Sequence, residues 1–166
     1  MSSADDGTKS EEEIRAAAVR KAMKLISLRD HTEKEMTDKL KAGGFPPFAI
    51  DEAIEYLKSY RYLDDARYAE LYVSFRRSEK SLFEIRENLK MKGVASEWID
   101  EAIEKAEVCE SETVKKTFLK KYGSKDLSDE KLYEKALRYF ASRGFPYGAA
   151  KEGIALAIQE IEAENR

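Results

Sequence analysis

The chain of 166 residues has very few of the side chains that disulfide-bonded, metal-binding or membrane proteins need. Cys109 is its only cysteine, so no internal disulfide can form. We expect a reducing compartment and a small, buried or half-buried side chain at this position. No stretch approaches the roughly 18 consecutive apolar residues of a membrane helix. The first residues are polar and acidic, unlike a signal peptide, so we expect a cytoplasmic protein without a membrane span.

Catalytic residues are equally scarce. His31 is the only histidine, which excludes any site that needs two imidazoles. It precedes a predicted helix cap, and we interpret it as a solvated residue at a helix start rather than a general base. Asp64 and Asp65 precede an amphipathic segment, where carboxylates complement the helix dipole, so we interpret them as caps rather than as a catalytic or metal-binding pair. With no glycine-rich phosphate loop either, we predict no enzyme, no cofactor, no metal site and no catalytic residue.

A block of sequence is present twice. The hexapeptide Ile-Asp-Glu-Ala-Ile-Glu at 50–55 returns unchanged at 99–104, and Gly-Phe-Pro at 44–46 returns at 144–146. These offsets predict three copies of a supersecondary unit of about 50 residues, which is the signature of a repeat protein. Such stacks build extended surfaces for partners more often than enclosed catalytic pockets.

Helical periodicity and end signals predict three helices in each unit. The capping boxes Thr32-x-x-Glu35 and Ser81-x-x-Glu84 open the second helices of the first two units, and glycines close them. Ser96 is predicted to cap the third helix of the second unit. The buried face of that unit's first helix is predicted to consist of four large residues at helical spacing, Tyr68, Leu71, Tyr72 and Phe75.

The predicted fold is therefore all-α, with three tandem helix-turn-helix-like repeats of three helices stacked into an elongated, curved molecule. Its predicted parts are a disordered tail at 1–10, repeat 1 at 11–62, repeat 2 at 63–108 and repeat 3 at 109–166. This architecture is shared by DNA readers and by structural modules, so it does not decide the function.

Basic residues cluster in the second half of an acidic protein whose net charge is -3. Residues 67–92 contain seven basic side chains against four acidic ones, a balance of +3, and residues 115–143 contain nine against four, a balance of +5. Segregation of this kind can produce a basic surface on an acidic protein. The predicted partner-binding residues are Arg67, Arg77, Arg86, Lys90, Lys116, Lys120, Lys131, Lys135 and Arg138. Solubility alone is the alternative explanation for this surface.

Two aromatic segments have two possible roles each, the binding of nucleic acid and packing within the protein. Tyr60-Arg61-Tyr62 combines rings and a cation as single-strand binders do, and Trp98 is a large ring after a predicted cap. We interpret both mainly as packing between units, with base stacking as the alternative.

Several motifs resemble the RecX family, bacterial regulators of the RecA recombinase. The resemblance is strongest at 62–69, Tyr-Leu-Asp-Asp-Ala-Arg-Tyr-Ala, and continues through Arg76 to the segment Ile85-Arg86-x-x-Leu89-x-x-Lys92-Gly93-Val94. It extends to repeat 1 through Leu28-x-x-His31-Thr32-x-x-Glu35-Met36-x-x-Lys39-Leu40 and more weakly through repeat 3. Two departures are visible: Arg61 stands where a glycine is usual, and Ser81-Leu82 replaces a usual Gly-Pro.

The resemblance implies a protein that lies in the groove of the RecA-DNA filament and lowers recombinase and ATPase activity, and so regulates recombination, DNA repair and the SOS response. It implies the RecA filament and DNA, without sequence specificity, as partners, and we expect a monomer. A direct DNA-binding module is the alternative. The second helices lack the Asn, Gln and Arg cluster of base-edge readers, so sequence-specific repression is not expected.

Overall fold

A computed structural model describes residues 9–166, and α-helices make up most of this range. The helices are α1 (Glu11–Leu28), α2 (Glu33–Ala42), α3 (Pro47–Ser59), α4 (Asp65–Arg76), α5 (Leu82–Met91), α6 (Ser96–Ala106), α7 (Glu110–Tyr122), α8 (Glu130–Ser142) and α9 (Tyr147–Glu164). Within residues 9–166 there is no strand, so the all-α prediction is confirmed. The tail predicted at 1–10 falls mostly on residues 1–8, which lie outside the described range.

The chain divides into two compact units, and from here on the word unit means one of these two and not one of the three predicted repeats. One contains residues up to Tyr68 together with Lys92–Val94, and the other contains Ala69–Met91 together with Ala95–Arg166. The core of the first unit consists of α1, α2 and α3, where Met36, Leu40 and Leu57 are fully buried. Ala18 and Ala22 are the buried residues of α1, and their small side chains let the other helices approach closely.

The second unit has an aromatic core between α7, α8 and α9. Phe118 and Tyr122 of α7 lie with their ring centroids 5.2 Å apart, and Phe140 meets Phe145 edge to face at 5.6 Å. Edge-to-face and tilted pairs of this kind add about 0.5–1.5 kcal/mol beyond the burial of their area. Helix α9 approaches α7 closely because Gly153 has no side chain: a Cβ there would lie 2.5 Å from the backbone oxygen of Ser111.

Most of the predicted helix starts are confirmed. The hydroxyl of Thr32 accepts from the backbone amide of Glu35 at 3.1 Å, and the hydroxyl of Ser81 accepts from the amide of Glu84 at 3.1 Å. Asp64 caps α4 by accepting from the amide of Arg67 at 3.0 Å. The prediction for Ser96 is wrong, because this residue is already the first of α6 and the preceding cap position offers no side-chain hydrogen bond.

The predicted buried face of α4 is also wrong. Ala69 and Val73 are fully buried, whereas Leu71 is 36% and Phe75 is 75% exposed. The buried face of α4 is formed by these small side chains, which permit close packing. The large apolar side chains lie on an adjacent face of the helix. Trp98 is 37% exposed and does not enter the core, whereas its neighbour Ile99 is buried.

A helix-cap joint recurs in each unit. In the first, the hydroxyl of Thr32 donates to the backbone oxygen of Lys92 at 2.6 Å, and the ammonium of Lys92 lies 2.7 Å from the Glu35 carboxylate. The amide of Glu33 donates to Asp65 at 2.9 Å. The start of α2 is thereby fixed to the turn that contains Gly93 and to the start of α4.

The second joint repeats these contacts with different side chains. Ser81 donates to the backbone oxygen of Arg143 at 2.6 Å, Arg143 pairs with Glu84 at 3.0 Å, and the amide of Leu82 donates to Glu110 at 2.9 Å. The start of α5 is thereby fixed to the turn that contains Gly144 and to the start of α7. The internal repeat seen in the sequence is thus also a repeat of specific contacts.

Candidate partner-binding site

Two lysines of α7 face away from the core. Val114, Phe118 and Tyr122 recur every four residues and are buried, so they fix which side of α7 packs inward. Lys116 and Lys120 are i, i+4 neighbours on the opposite side, and both are exposed. The two lysines make no ion pair with any residue of the described chain.

These lysines line a basic groove. Its cavity of about 530 Å³ is bordered by Ser78, Glu79, Lys116, Thr117, Lys120, Lys121, Tyr139 and Arg143. The groove thus brings four cations together with one carboxylate, and that carboxylate already faces the guanidinium of Arg76 at 3.4 Å. We call Lys116, Lys120, Lys121 and Arg143 the groove cations.

Arg143 is held in place by several acceptors. Its guanidinium donates to Glu84 at 3.0 and 3.3 Å, to the Tyr139 hydroxyl at 2.8 Å and to the backbone oxygen of Glu79 at 3.3 Å. The hydrogen bond with Glu84 raises the pKa of Arg143, although burial opposes this. Lys121 lies over the Tyr139 ring, with its ammonium 4.3 Å from the centroid. The groove therefore combines two positioned cations with two lysines that lack an intramolecular ion pair.

A second cavity of about 220 Å³ adjoins the groove, because both are lined by Ser78 and Lys116. Arg77 also lines it, and its guanidinium donates to the last-turn carbonyl of Ala106 at 2.7 Å. Cys109 is on its rim and is exposed, so the prediction of a buried or half-buried thiol is wrong. A hydrogen bond with the Ser111 hydroxyl lowers the pKa of this thiol, and backbone amides add to the effect.

The two adjoining cavities are lined by three of the nine predicted binding residues, Arg77, Lys116 and Lys120.

The other predicted binding residues are dispersed. Arg86 forms an ion pair with Asp100, and Lys90 pairs with Glu87 at 3.2 Å, so part of their charge is neutralised within the chain. Arg67 is exposed at the start of α4. On α8 the exposed cations follow helical spacing on the outer face: Lys131, Lys135 and Arg138.

The predicted binding set did not include Lys121, Tyr139 or Arg143, which also line the groove. One signal was available for Arg143, because it precedes the glycine of its repeat just as Lys92 does. The position of Tyr139 depends on how α8 packs, which periodicity does not give.

His31 is buried, with 3% of its surface exposed, so its interpretation as a solvated residue is wrong. Its Nδ1 lies 2.8 Å from the backbone oxygen of Arg29, and burial lowers its pKa. Among residues 9–166, no group of three or more His, Cys, Asp or Glu side chains is placed to hold a metal ion. No helix of that range is long and apolar enough to cross a membrane.

Comparison with known proteins gives two matches to three-helix domain families. Residues 18–57 match "RecX, first three-helix domain" and residues 64–103 match "RecX, second three-helix domain". The "Regulatory protein RecX" of Ectopseudomonas mendocina (strain ymp) is 33% identical over 130 residues, which cover 78% of this chain and 87% of that protein. The chain belongs to the RecX family.

A second RecX relative, from Clostridium perfringens (strain 13 / Type A), is 33% identical over 130 residues. That match covers 76% of this chain but only 61% of the relative, so the chain spans about three fifths of that protein's length. The crystal structure of RecX from Lactobacillus salivarius shares the fold, with a TM-score of 0.71 and 21% identity over 89% of this chain and 99% of that one. The groove cations lie beyond residue 103, outside both matched RecX domains.

Proposed function

We propose that this protein is a non-enzymatic regulator that binds the RecA-DNA filament in the cytoplasm and lowers its recombinase and ATPase activity. Membership of a family whose relatives are named regulatory proteins supports the general role. The observation that carries the proposed contact is the basic groove, in which Lys116 and Lys120 lie beside two positioned cations. A polyanion, or an acidic protein surface, is the ligand that such a cluster attracts.

The nine predicted basic residues remain the proposed contact set, with a changed order of importance. Lys116 and Lys120 come first because they line the groove and make no ion pair within the described chain. Arg86 and Lys90 come last because they face Asp100 and Glu87. Reversing Arg86 would place a carboxylate beside Asp100, which would confuse a loss of binding with a loss of stability.

The decisive experiment measures ATP hydrolysis by RecA on single-stranded DNA with substoichiometric amounts of this protein. The wild type is expected to lower the rate, and the double variant Lys116→Glu, Lys120→Glu is expected to need about tenfold more protein for the same effect. The control Lys39→Glu, Lys41→Glu changes the net charge equally on α2, which does not line the groove, and should inhibit like the wild type. Wild-type protein without any effect on RecA would overturn the proposal.

Direct binding to DNA is the second candidate function, and the same groove favours it. It predicts tight binding to naked DNA with a steep dependence on salt. Replacing Lys116 and Lys120 by glutamine should then reduce the slope of log affinity against log salt by about 1.8, if each lysine contacts one phosphate. Titrations of naked DNA and of the RecA-DNA filament at two salt concentrations separate the candidates. Binding that needs the filament supports the regulator, and equal binding to both favours the DNA module.

A further inference from the structure

Three exposed tyrosines form a row at the end of α3. Tyr56, Tyr60 and Tyr62 are 40%, 59% and 45% exposed. The ring centroids of Tyr56 and Tyr60 are 4.9 Å apart, and those of Tyr60 and Tyr62 are 5.9 Å apart with an angle of 21° between the ring planes. These rings contact one another at the surface instead of entering the core.

The backbone turn that positions Tyr62 is strained. The amide of Tyr62 donates to the carbonyl of Leu57 at 2.8 Å, and the amide of Arg61 donates to Lys58 at 2.9 Å, which is the hydrogen-bond pattern of a Schellman motif. This pattern requires a left-handed residue, and Arg61 supplies it with φ of 56°. A non-glycine residue costs roughly 1 kcal/mol in this conformation. Strain that is retained at one surface position, where it aligns two exposed rings, is a reason to look for function there.

Cations without intramolecular partners border the row. Arg61 is exposed between two of the tyrosines and makes no ion pair within the described chain. Arg20 is exposed too and lines, together with Tyr56, a cavity of about 570 Å³. Two of the neighbouring carboxylates have cationic partners, since Glu52 lies 3.0 Å from Arg15 and Glu55 lies 3.9 Å from Lys58. Glu12, which lines the same cavity as Arg20, makes no ion pair within the described chain. The surface around the row therefore offers π faces and guanidinium groups to the same ligand.

We propose that Tyr56, Tyr60 and Tyr62 form a stacking platform for the bases of single-stranded nucleic acid, with Arg61 and Arg20 contacting its phosphates. Bases of a single strand can stack on side-chain rings, whereas the base faces of a duplex are occupied by their neighbours. A purely apolar peptide would leave the guanidinium groups unmatched. The inference rests on the proposed function in that it gives the nucleic-acid part of the filament a contact separate from the groove cations.

The test uses the full chain without RecA and three fluorescent probes of about 16 nucleotides: single-stranded oligothymidine, an abasic strand of equal length and a duplex. The platform variant is Tyr60→Leu, Tyr62→Leu, which keeps apolar bulk but removes the rings. The matched control is Tyr60→Phe, Tyr62→Phe, which keeps the rings and removes only the hydroxyl groups. Equal thermal unfolding midpoints check that both variants are folded.

The leucine variant is expected to bind oligothymidine at least tenfold more weakly, whereas the phenylalanine variant binds within twofold of the wild type, because one stacked base contributes about 1–3 kcal/mol. Binding of the abasic strand should be weak and equal in all three proteins. Equal affinity of the wild type for abasic and normal strands, or no loss in the leucine variant, would overturn the inference. Inhibition of RecA is measured separately, so a failed platform with intact inhibition leaves the proposed function standing.

Discussion

The hydroxyl of Ser81 donates a hydrogen bond of 2.6 Å to the backbone oxygen of Arg143. The same hydroxyl accepts from the amide of Glu84 at 3.1 Å, so one buried oxygen both caps α5 and holds the turn before α9. Thr32 does the same for α2 and the turn at Lys92, with distances of 3.1 and 2.6 Å. Two helix starts at corresponding positions of the internal repeat are therefore fixed in the same way, each by one hydroxyl.

Replacing Ser81 by alanine should lower the free energy of unfolding by about 2–3 kcal/mol. Loss of the cap accounts for about 1 kcal/mol, and the part-buried carbonyl of Arg143 that loses its donor accounts for the rest. Urea denaturation followed by circular dichroism measures the change. Ser142→Ala is the control, because that hydroxyl is exposed and bonds only to Tyr139 of its own helix at 2.7 Å. Equal effects of the two substitutions would show that the joint contributes no stability of its own.

Two glycines with the same backbone conformation should respond differently to alanine. Gly44 has φ of 82° and Gly144 has φ of 81°, so an alanine at either position would incur the same left-handed penalty of about 1 kcal/mol. A Cβ on Gly44 would meet nothing within 4 Å, whereas one on Gly144 would lie 2.7 Å from Phe83. Gly144→Ala should therefore cost about 1–3 kcal/mol more than Gly44→Ala in the same urea titration, because overpacking adds to the strain. The contact with Phe83 would be unimportant if both variants lost the same stability.

The sequence was sufficient for the helices and for two of the capping boxes, because periodicity and cap residues are local signals. It was insufficient for the orientation of α4. Ala69 and Val73 are buried because their small side chains let a neighbouring element pack closely, and the sequence of α4 alone does not show that neighbour. His31 illustrates the same limit. A polar residue beside a cap is ordinarily solvated, but here it is buried and satisfied by the carbonyl of Arg29 at 2.8 Å.

For the candidate site, the sequence identified the basic residues but not which of them lack a carboxylate partner within the chain and so can bind another molecule. Lys116 and Arg86 look alike in a count of charge, yet only Arg86 has a carboxylate partner, Asp100, placed by the tertiary fold. The assembly of Lys116, Lys120 and Arg143 around one groove depends on contacts between elements far apart in the chain. Such contacts leave no pattern within a single helix.

Arg61→Gly should stabilise the protein by up to about 1 kcal/mol. The residue sits at φ of 56°, in the left-handed region that glycine adopts without a Cβ penalty, although the greater freedom of glycine in the unfolded chain offsets part of the gain. Arg61→Ala retains the Cβ and should not be stabilised, so it is the matched control. Thermal unfolding of the three proteins measures the difference. A glycine variant no more stable than the alanine variant would mean that the turn at Arg61 is not strained.

The pair formed by Glu35 and Lys92 should make stability depend on pH at both ends of the range. Burial alone would raise the pKa of Glu35, but the hydrogen bonds from Lys92 and from the backbone amide of Thr32 lower it below its ordinary value of 4.5. The contribution of the charged carboxylate is therefore fully present above pH 4.5 and is lost as pH falls through the lower folded pKa. The hydrogen bond with Glu35 raises the pKa of Lys92 above 10.5, so the contribution of the ammonium is lost only as pH rises beyond that value.

Glu35→Gln should accordingly destabilise the protein most between about pH 5 and pH 10, with a difference from the wild type that shrinks below about pH 4.5. Urea titrations of both proteins across this range measure the difference directly. Asp38→Asn is the control, because Asp38 pairs with Lys34 at 2.7 Å on an exposed surface, where solvent screens the interaction. If the Glu35 variant lost the same stability at all pH values, its effect would come from altered packing of the joint, since an electrostatic contribution must disappear when the carboxylate is protonated.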